Sequence, residues 1–186
     1  FEDEMMREHD VDVRVLRRPY EEETRDYCLR QAQWHELTED VVQGEPVCVA
    51  AFDLNTITLD EAQGVADAPF AFDLPLERCS AFAGWFDSDF AGSPSAPASN
   101  VVTLDTSPSG GYTHWGQQVM HFVSSIPLIK GETTRLHGSL ELTRTKENAR
   151  LYNCRLKFSS SRRKTGQNKD SVLMKGAPLE HVYQIP

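Results

Sequence analysis

Hydrophobic and polar positions change rhythm once along this chain, near residue 44. Before that point the spacing is helical. The segment PYEEETRDYCLRQAQWHEL from Pro19 has no Gly, no further Pro and few β-branched residues. Pro19 suits a first helical turn, and Glu21, Glu22 and Glu23 suit its positive end. Tyr20, Thr24, Tyr27, Gln31 and Trp34 follow at alternating spacings of four and three. This predicts a helix with one aromatic stripe, which needs another surface to cover it, in this chain or in a partner.

After Gly44 the pattern predicts short strands. Pro46 to Phe52 is an apolar run, and Asn55 to Leu59 alternates, with Ile57 and Leu59 on one side. Phe70, Phe72 and Leu74 alternate cleanly, and Val101, Thr103 and Asp105 oppose Val102 and Leu104. Ala81 to Phe90 is rich in aromatic residues, and Leu136 to Thr143 and Leu151 to Phe158 are two further strands. Turn clusters at 92–97, 107–111 and 146–149 separate them, and Ser159 to Asp170 reads as an exposed hairpin loop. Many short strands at this spacing predict a sandwich or barrel.

The 186 residues suffice for one ordinary domain with an appendage. The longest apolar run is too short to span a bilayer as a helix, and the charged start, FEDEMMREHD, does not resemble a signal peptide. Because the chain begins on Phe1, it is expected to be part of something longer. The net charge of −9 is unevenly placed. Residues 1–63 hold 17 acidic and 6 basic side chains, whereas residues 129–186 hold 5 and 12. This balance argues against direct nucleic-acid binding and suits a basic partner. The basic stretch at Arg162, Arg163 and Lys164 reads as a charged hairpin tip.

Cys28, Cys48, Cys79 and Cys154 are scattered, and His9, His35, His114, His121, His137 and His181 never fall at ligand spacing, so no metal is expected. With no secretory signal, free thiols point to the cytoplasm, the nucleus or both. No Gly-rich phosphate loop or G-x-S-x-G elbow is present in the sequence. One segment stands out, Tyr112-Thr-His-Trp-Gly-Gln-Gln-Val119, which follows a Gly-Gly turn and leads into a strand. Its His and Trp could seat a cation or a planar group. Alternatively, Trp115 caps the core while His114 bonds to a backbone carbonyl.

Thr113, His114 and Trp115, continued as Gly-Gln-Gln-Val, resemble the T-H-W loop of the protein arginine methyltransferases. Gly84-Trp-Phe-Asp87, Phe90 and Val102-Thr-Leu-Asp-Thr-Ser-Pro108 resemble the strand and turn that lead into that loop. Lys130-Gly-Glu132, the hairpin from Arg144 to Leu156, and the segment from Pro46 to Glu61 extend the likeness over about residues 40–158. T-H-W-G-Q-Q is most similar to type I enzymes of the plant and protist kind.

The resemblance implies a mainly β fold: the C-terminal β-barrel of these enzymes with a helical arm insertion. Residues 1–43 would be the dimerisation arm, with Tyr20, Tyr27 and Trp34 on its stripe. Residues 44–186 would be the barrel that binds substrate. The activity implied is methyl transfer from S-adenosylmethionine to arginine side chains. By the same carry-over, His114 would bond to an acidic residue of a nucleotide-binding domain, Trp115 would wall the arginine pocket, and Thr113 would hold the loop's shape. Substrates would be Gly-Arg-rich or otherwise basic proteins, so acidic Asp87 and Asp89 are expected to bear on substrate binding. The complete enzyme would be a homodimer with no membrane attachment. The family's cofactor loop and double-glutamate loop have no counterpart in this sequence. The cofactor is therefore expected to sit on a domain outside it, and the fragment alone to be inactive. Two other readings stay open: a catalytically inactive regulatory subunit of the same fold, and an unrelated carbohydrate-binding β-sandwich using Trp85 and Trp115.

Overall fold

The computed structural model describes residues 2–74, 78–127, 129–164 and 174–186. The helices α1 (Glu2–His9) and α2 (Arg17–Arg30) come first and bury no residue. An ion pair between Arg17 and Glu2 joins them. α2 opens at Arg17, so Pro19 falls in its first turn. The missing N–H is harmless there, because the first four helical amides have no partner within the helix. Tyr20 and Tyr27 lie exposed on α2.

The helix ends sooner than its aromatic spacing predicts. Gln31 is extended, with φ −132° and ψ 138°, and forms a parallel bridge with Gln184. Ala32, which is buried, donates its N–H to the Gln184 carbonyl at 2.9 Å. Trp34 consequently lies in strand β1 (Gln33–His35) and not on the helical face with Tyr20 and Tyr27. Here a backbone ladder to remote strands outweighs a helical period that only solvent would have met.

The rest of the described chain is mainly β. One sheet runs β10 (Leu179–Ile185), β8 (Tyr152–Lys164), β7 (Glu132–Arg144) and β2 (Gly64–Leu74), with β9 (Met174–Lys175) also paired to β8. A second sheet runs β1, β6 (Gln117–Pro127) and β3 (Arg78–Gly84). The named strand pairings are all antiparallel. Aromatic rings from both sheets meet in the core. Phe82 of β3 lies 5.2 Å from Phe70 of β2 and 5.1 Å from Phe158 of β8, centroid to centroid. Phe122 of β6 lies 5.0 Å from Phe82 and 5.2 Å from Phe158. Such pairs add about 0.5–1.5 kcal/mol each beyond the burial of their area. Leu136, Leu156 and Cys154 fill the space beside them, and the buried Tyr183 donates its hydroxyl to the His121 carbonyl, joining the sheets.

The remaining departures from the sequence pattern have local causes. Pro46 to Phe52 forms no regular strand, and Phe52 is 49% exposed. Pro46 lacks an N–H for a ladder, and no described strand pairs with the run. Asn55 to Leu59 is a turn: the Asp53 carboxylate accepts the Asn55 N–H at 2.9 Å, and the Asp53 carbonyl accepts the N–H groups of Thr56 and Ile57. Thr58 and Glu61 then close a reciprocal capping box, with the Thr58 N–H on Glu61 at 2.8 Å and the Glu61 N–H on the Thr58 hydroxyl at 3.2 Å. Ser159 to Lys164, read as a loop, continues β8 because Glu132 to His137 of β7 pair with it. The rest of that expected loop, residues 165–170, lies outside the described residues. β4 (Asp87–Ser93) and β5 (Ala96–Asp105) form a two-stranded ribbon without a third described strand, which leaves both Val101 and Val102 exposed. Among the described residues, no helix is long and apolar enough to cross a membrane.

Candidate functional site

The segment from Asp105 to Gln117 leaves the β4–β5 ribbon and enters β6, and it turns on its glycines. A Cβ at Gly110 would lie 2.7 Å from the Asp105 carbonyl oxygen, so only glycine lets the turn close onto its own start. The Asp105 carboxylate accepts the Ser107 N–H at 2.8 Å, and bonds from the Ser107 hydroxyl and N–H hold its carboxyl below the usual carboxylate range. Gly116 has φ +52° in the left-handed region, and a Cβ there would lie 2.6 Å from both the His35 carbonyl oxygen and the Trp34 ring nitrogen.

Between these turns the loop presents its side chains outward. Tyr112, His114 and Trp115 are exposed. The Trp115 ring meets the Phe86 ring edge to face, with centroids 5.9 Å apart and an interplanar angle of 85°. His114 lies 6.1 Å from the same indole. Thr113 is half-buried, and its hydroxyl oxygen has no hydrogen-bond partner among the described residues.

Residues given no such role by the sequence, Thr106 and Gln117 within the matching motifs and Trp34 on the expected arm stripe, supply the loop's hydrogen bonds. The fully buried Thr106 donates its hydroxyl to the Phe86 carbonyl and accepts the Phe86 N–H at 3.2 Å. Gln117, 3% exposed, uses both ends of its amide: its nitrogen donates to the Thr106 carbonyl at 2.8 Å, and its oxygen accepts the Leu37 N–H at 2.7 Å. Trp34 donates its indole N–H to the Trp115 carbonyl at 2.7 Å. Nothing in the sequence marks Gln117 for burial, since glutamine is usually exposed; its partners appear only in the assembled fold.

Asp87 and Asp89 lie two apart on β4, hence on one face of the ribbon, with Asp87 opposite Asp105 and Asp89 opposite Thr103. The Thr103 hydroxyl donates to Asp89 at 2.6 Å. Phe86, directly before Asp87, carries the Trp115 contact, so the ribbon's acidic face begins beside the loop. Tyr20 and Tyr27 are held on α2, apart from Trp34, which packs on the loop itself.

A mainly β body, a helical N-terminal segment and a rigidly seated T-H-W loop define the class, and the family comparison agrees. Residues 16–163 match the model of the arginine methyltransferase oligomerization subdomain, and the chain belongs to that family. It is 35% identical over 166 residues to protein arginine N-methyltransferase PRMT10 of Arabidopsis thaliana, covering 86% of this chain and 43% of that protein. It is 38% identical over 143 residues to the PRMT10 of Oryza sativa subsp. japonica, covering 76% and 37%. The chain thus spans less than half the length of these relatives. Among solved structures, it superposes on Arabidopsis thaliana protein arginine methyltransferase 10, described as a uniquely open conformation, with a TM-score of 0.68 and 28% identity over all of this chain and 51% of that one. The Trypanosoma brucei PRMT1 enzyme-prozyme heterotetrameric complex with AdoHcy shares the fold, with a TM-score of 0.61 and 15% identity over 100% of this chain and 53% of that one.

Proposed function

We propose that the complete protein is a type I-like protein arginine N-methyltransferase, and that residues 44–186 are its substrate-binding barrel and residues 1–43 its dimerisation arm. The observation that carries this reading is the T-H-W loop. Its backbone is fixed by Thr106, Gln117 and Trp34, while the His114 and Trp115 side chains remain exposed at its tip. In this reading Trp115 forms one wall of the pocket for the substrate arginine, whose planar cation suits an aromatic face. His114 bonds to a carboxylate of a second domain, and Thr113 holds the loop's shape.

The substrates proposed are Gly-Arg-rich or other basic proteins, drawn toward the acidic ribbon face at Asp87 and Asp89. The methyl donor proposed is S-adenosylmethionine, which supplies an electrophilic methyl group. The loop's exposed side chains are Tyr112, His114 and Trp115, with the Asp87 and Asp105 carboxylates of the ribbon close by. Rings and carboxylates suit a cationic substrate better than a cofactor that carries its own carboxylate, and we assign the cofactor to another part of the protein. The exposed Tyr20 and Tyr27 support an arm that docks on a second copy. The test is methylation of a Gly-Arg-rich peptide: the complete protein should transfer methyl groups and residues 1–186 alone should not. Transfer by residues 1–186 above a no-protein blank would overturn this division of roles.

A further inference from the structure

Two lines of contact converge on Trp115, and both start in the short segment after helix α2. The first is the Trp34 indole. Its N–H donates to the Trp115 carbonyl at 2.7 Å, and its ring lies where a side chain at Gly116 would stand, 2.6 Å from that position. The second runs from the Leu37 N–H to Gln117 at 2.7 Å, from Gln117 to the Thr106 carbonyl at 2.8 Å, and from Thr106 to the Phe86 backbone. It ends in the edge-to-face contact of Phe86 with the Trp115 ring at 5.9 Å. One line holds the loop's backbone and the other its aromatic side chain.

The same segment is anchored to the end of α2. The Leu29 carbonyl in the last turn of α2 is bonded to the His181 imidazole, and Ala32 donates to the Gln184 carbonyl at 2.9 Å. Only residues 31–33 separate the helix from Trp34, so a change in the seat of α2 reaches the indole through three residues already held in extended, hydrogen-bonded backbone. Trp34 is half-exposed and lies outside the aromatic core, so its place in the sequence is explained by the loop rather than by packing.

We propose that Trp34 is a positioning residue for the T-H-W loop, holding the Trp115–Gly116 backbone and coupling the seat of helix α2 to the posture of His114 and Trp115. The catalytic consequence rests on the methyltransferase reading; the clamp itself does not. The test uses the complete protein with Trp34→Phe, which keeps a ring over Gly116 but loses the N–H, and Trp34→Ala, which loses both. Deuterium uptake by the peptide spanning 112–118 should rise in both variants while the β7 and β8 peptides stay protected. For Trp34→Phe, kcat on a Gly-Arg-rich peptide should fall about fivefold, the worth of one neutral hydrogen bond. The KM for S-adenosylmethionine should be unchanged and the melting temperature should fall by no more than about 2–4 °C, and Trp34→Ala should lose more activity.

Unchanged uptake at 112–118 in both variants overturns the clamp whatever the activity. Raised uptake with wild-type kcat overturns the positioning role. Raised uptake in a protein whose wild type transfers no methyl group overturns the methyltransferase reading and leaves the clamp standing.

Discussion

Replacing Gln117 with leucine isolates the polar contact that seats the T-H-W loop. Leucine has nearly the volume of glutamine, so the loss is chemical rather than steric. Gln117 is 3% exposed, and its amide satisfies the carbonyl of the fully buried Thr106 at 2.8 Å and the N–H of the half-buried Leu37 at 2.7 Å. Stranding a buried carbonyl costs about 1–3 kcal/mol, and stranding a half-buried amide falls at the low end of that range, giving about 2–4 kcal/mol in all. With a urea slope of about 2 kcal/mol/M, the unfolding midpoint followed by tryptophan fluorescence should fall by about 1–2 M. Gln117→Glu sharpens the test. A protonated carboxyl can still donate to the Thr106 carbonyl, whereas a carboxylate faces it with a lone pair. The folded state therefore raises the pKa of this Glu. The variant should match the wild type most closely near pH 4 and lose stability as pH rises above the unfolded value of about 4.3. A leucine variant within about 0.2 M of the wild-type midpoint, or a Glu variant with a pH-independent deficit, would show that Gln117 does not seat the loop.

Three further outcomes follow from other parts of the molecule. Gly138→Ala places a Cβ 2.0 Å from the Lys157 carbonyl oxygen, where β7 meets β8; calorimetry should show a loss of about 3 kcal/mol or more, or no folded protein. Burial first and the neighbouring His35 second lower the pKa of His121. The fold thus favours the neutral ring, so stability should fall as pH drops through the unfolded histidine value of about 6.5, and His121→Gln should flatten that part of the profile. Cys154 is fully buried, with its thiol pushed up to about 12, whereas Cys48 is exposed; a thiol-alkylating reagent at pH 8 should label Cys48 and leave Cys154 intact until the protein unfolds.

Much of the barrel was legible because its signals are local. Phe70, Phe72 and Leu74 alternate into a core that does receive Phe70 and Leu74, and Leu136 and Leu156 mark β7 and β8, which pair with each other. The first turn of α2 was legible from Pro19 and the glutamates after it. Its end was not, because Trp34 keeps the helical period while Gln184 and β6 capture the backbone around it. Phe52 looked like core and is exposed because its run has no strand partner, whereas polar Ser159 to Lys164 is strand because β7 supplies one. Thr58 and Glu61 did carry a readable capping signal, and it prevailed over the alternation around Ile57. The T-H-W loop stood out by its adjacent His114 and Trp115 after a Gly-Gly turn, and the resemblance decided between a binding role and a core-capping one. The bonds that hold it were invisible in the sequence: Gln117 finds Leu37 and Thr106 finds Phe86 only once the strands are assembled.

One assay addresses directly the proposed place of Trp115 as a wall of the arginine pocket. Labelled methyl transfer from S-adenosylmethionine to a Gly-Arg-rich peptide, and to its Gly-Lys counterpart, is measured for the complete protein and for Trp115→Ala. Transfer should go to the arginine peptide alone, and the variant should lose about tenfold or more in kcat/KM with its melting temperature retained. Absence of transfer by the wild type, or undiminished transfer by Trp115→Ala, would contradict that placement.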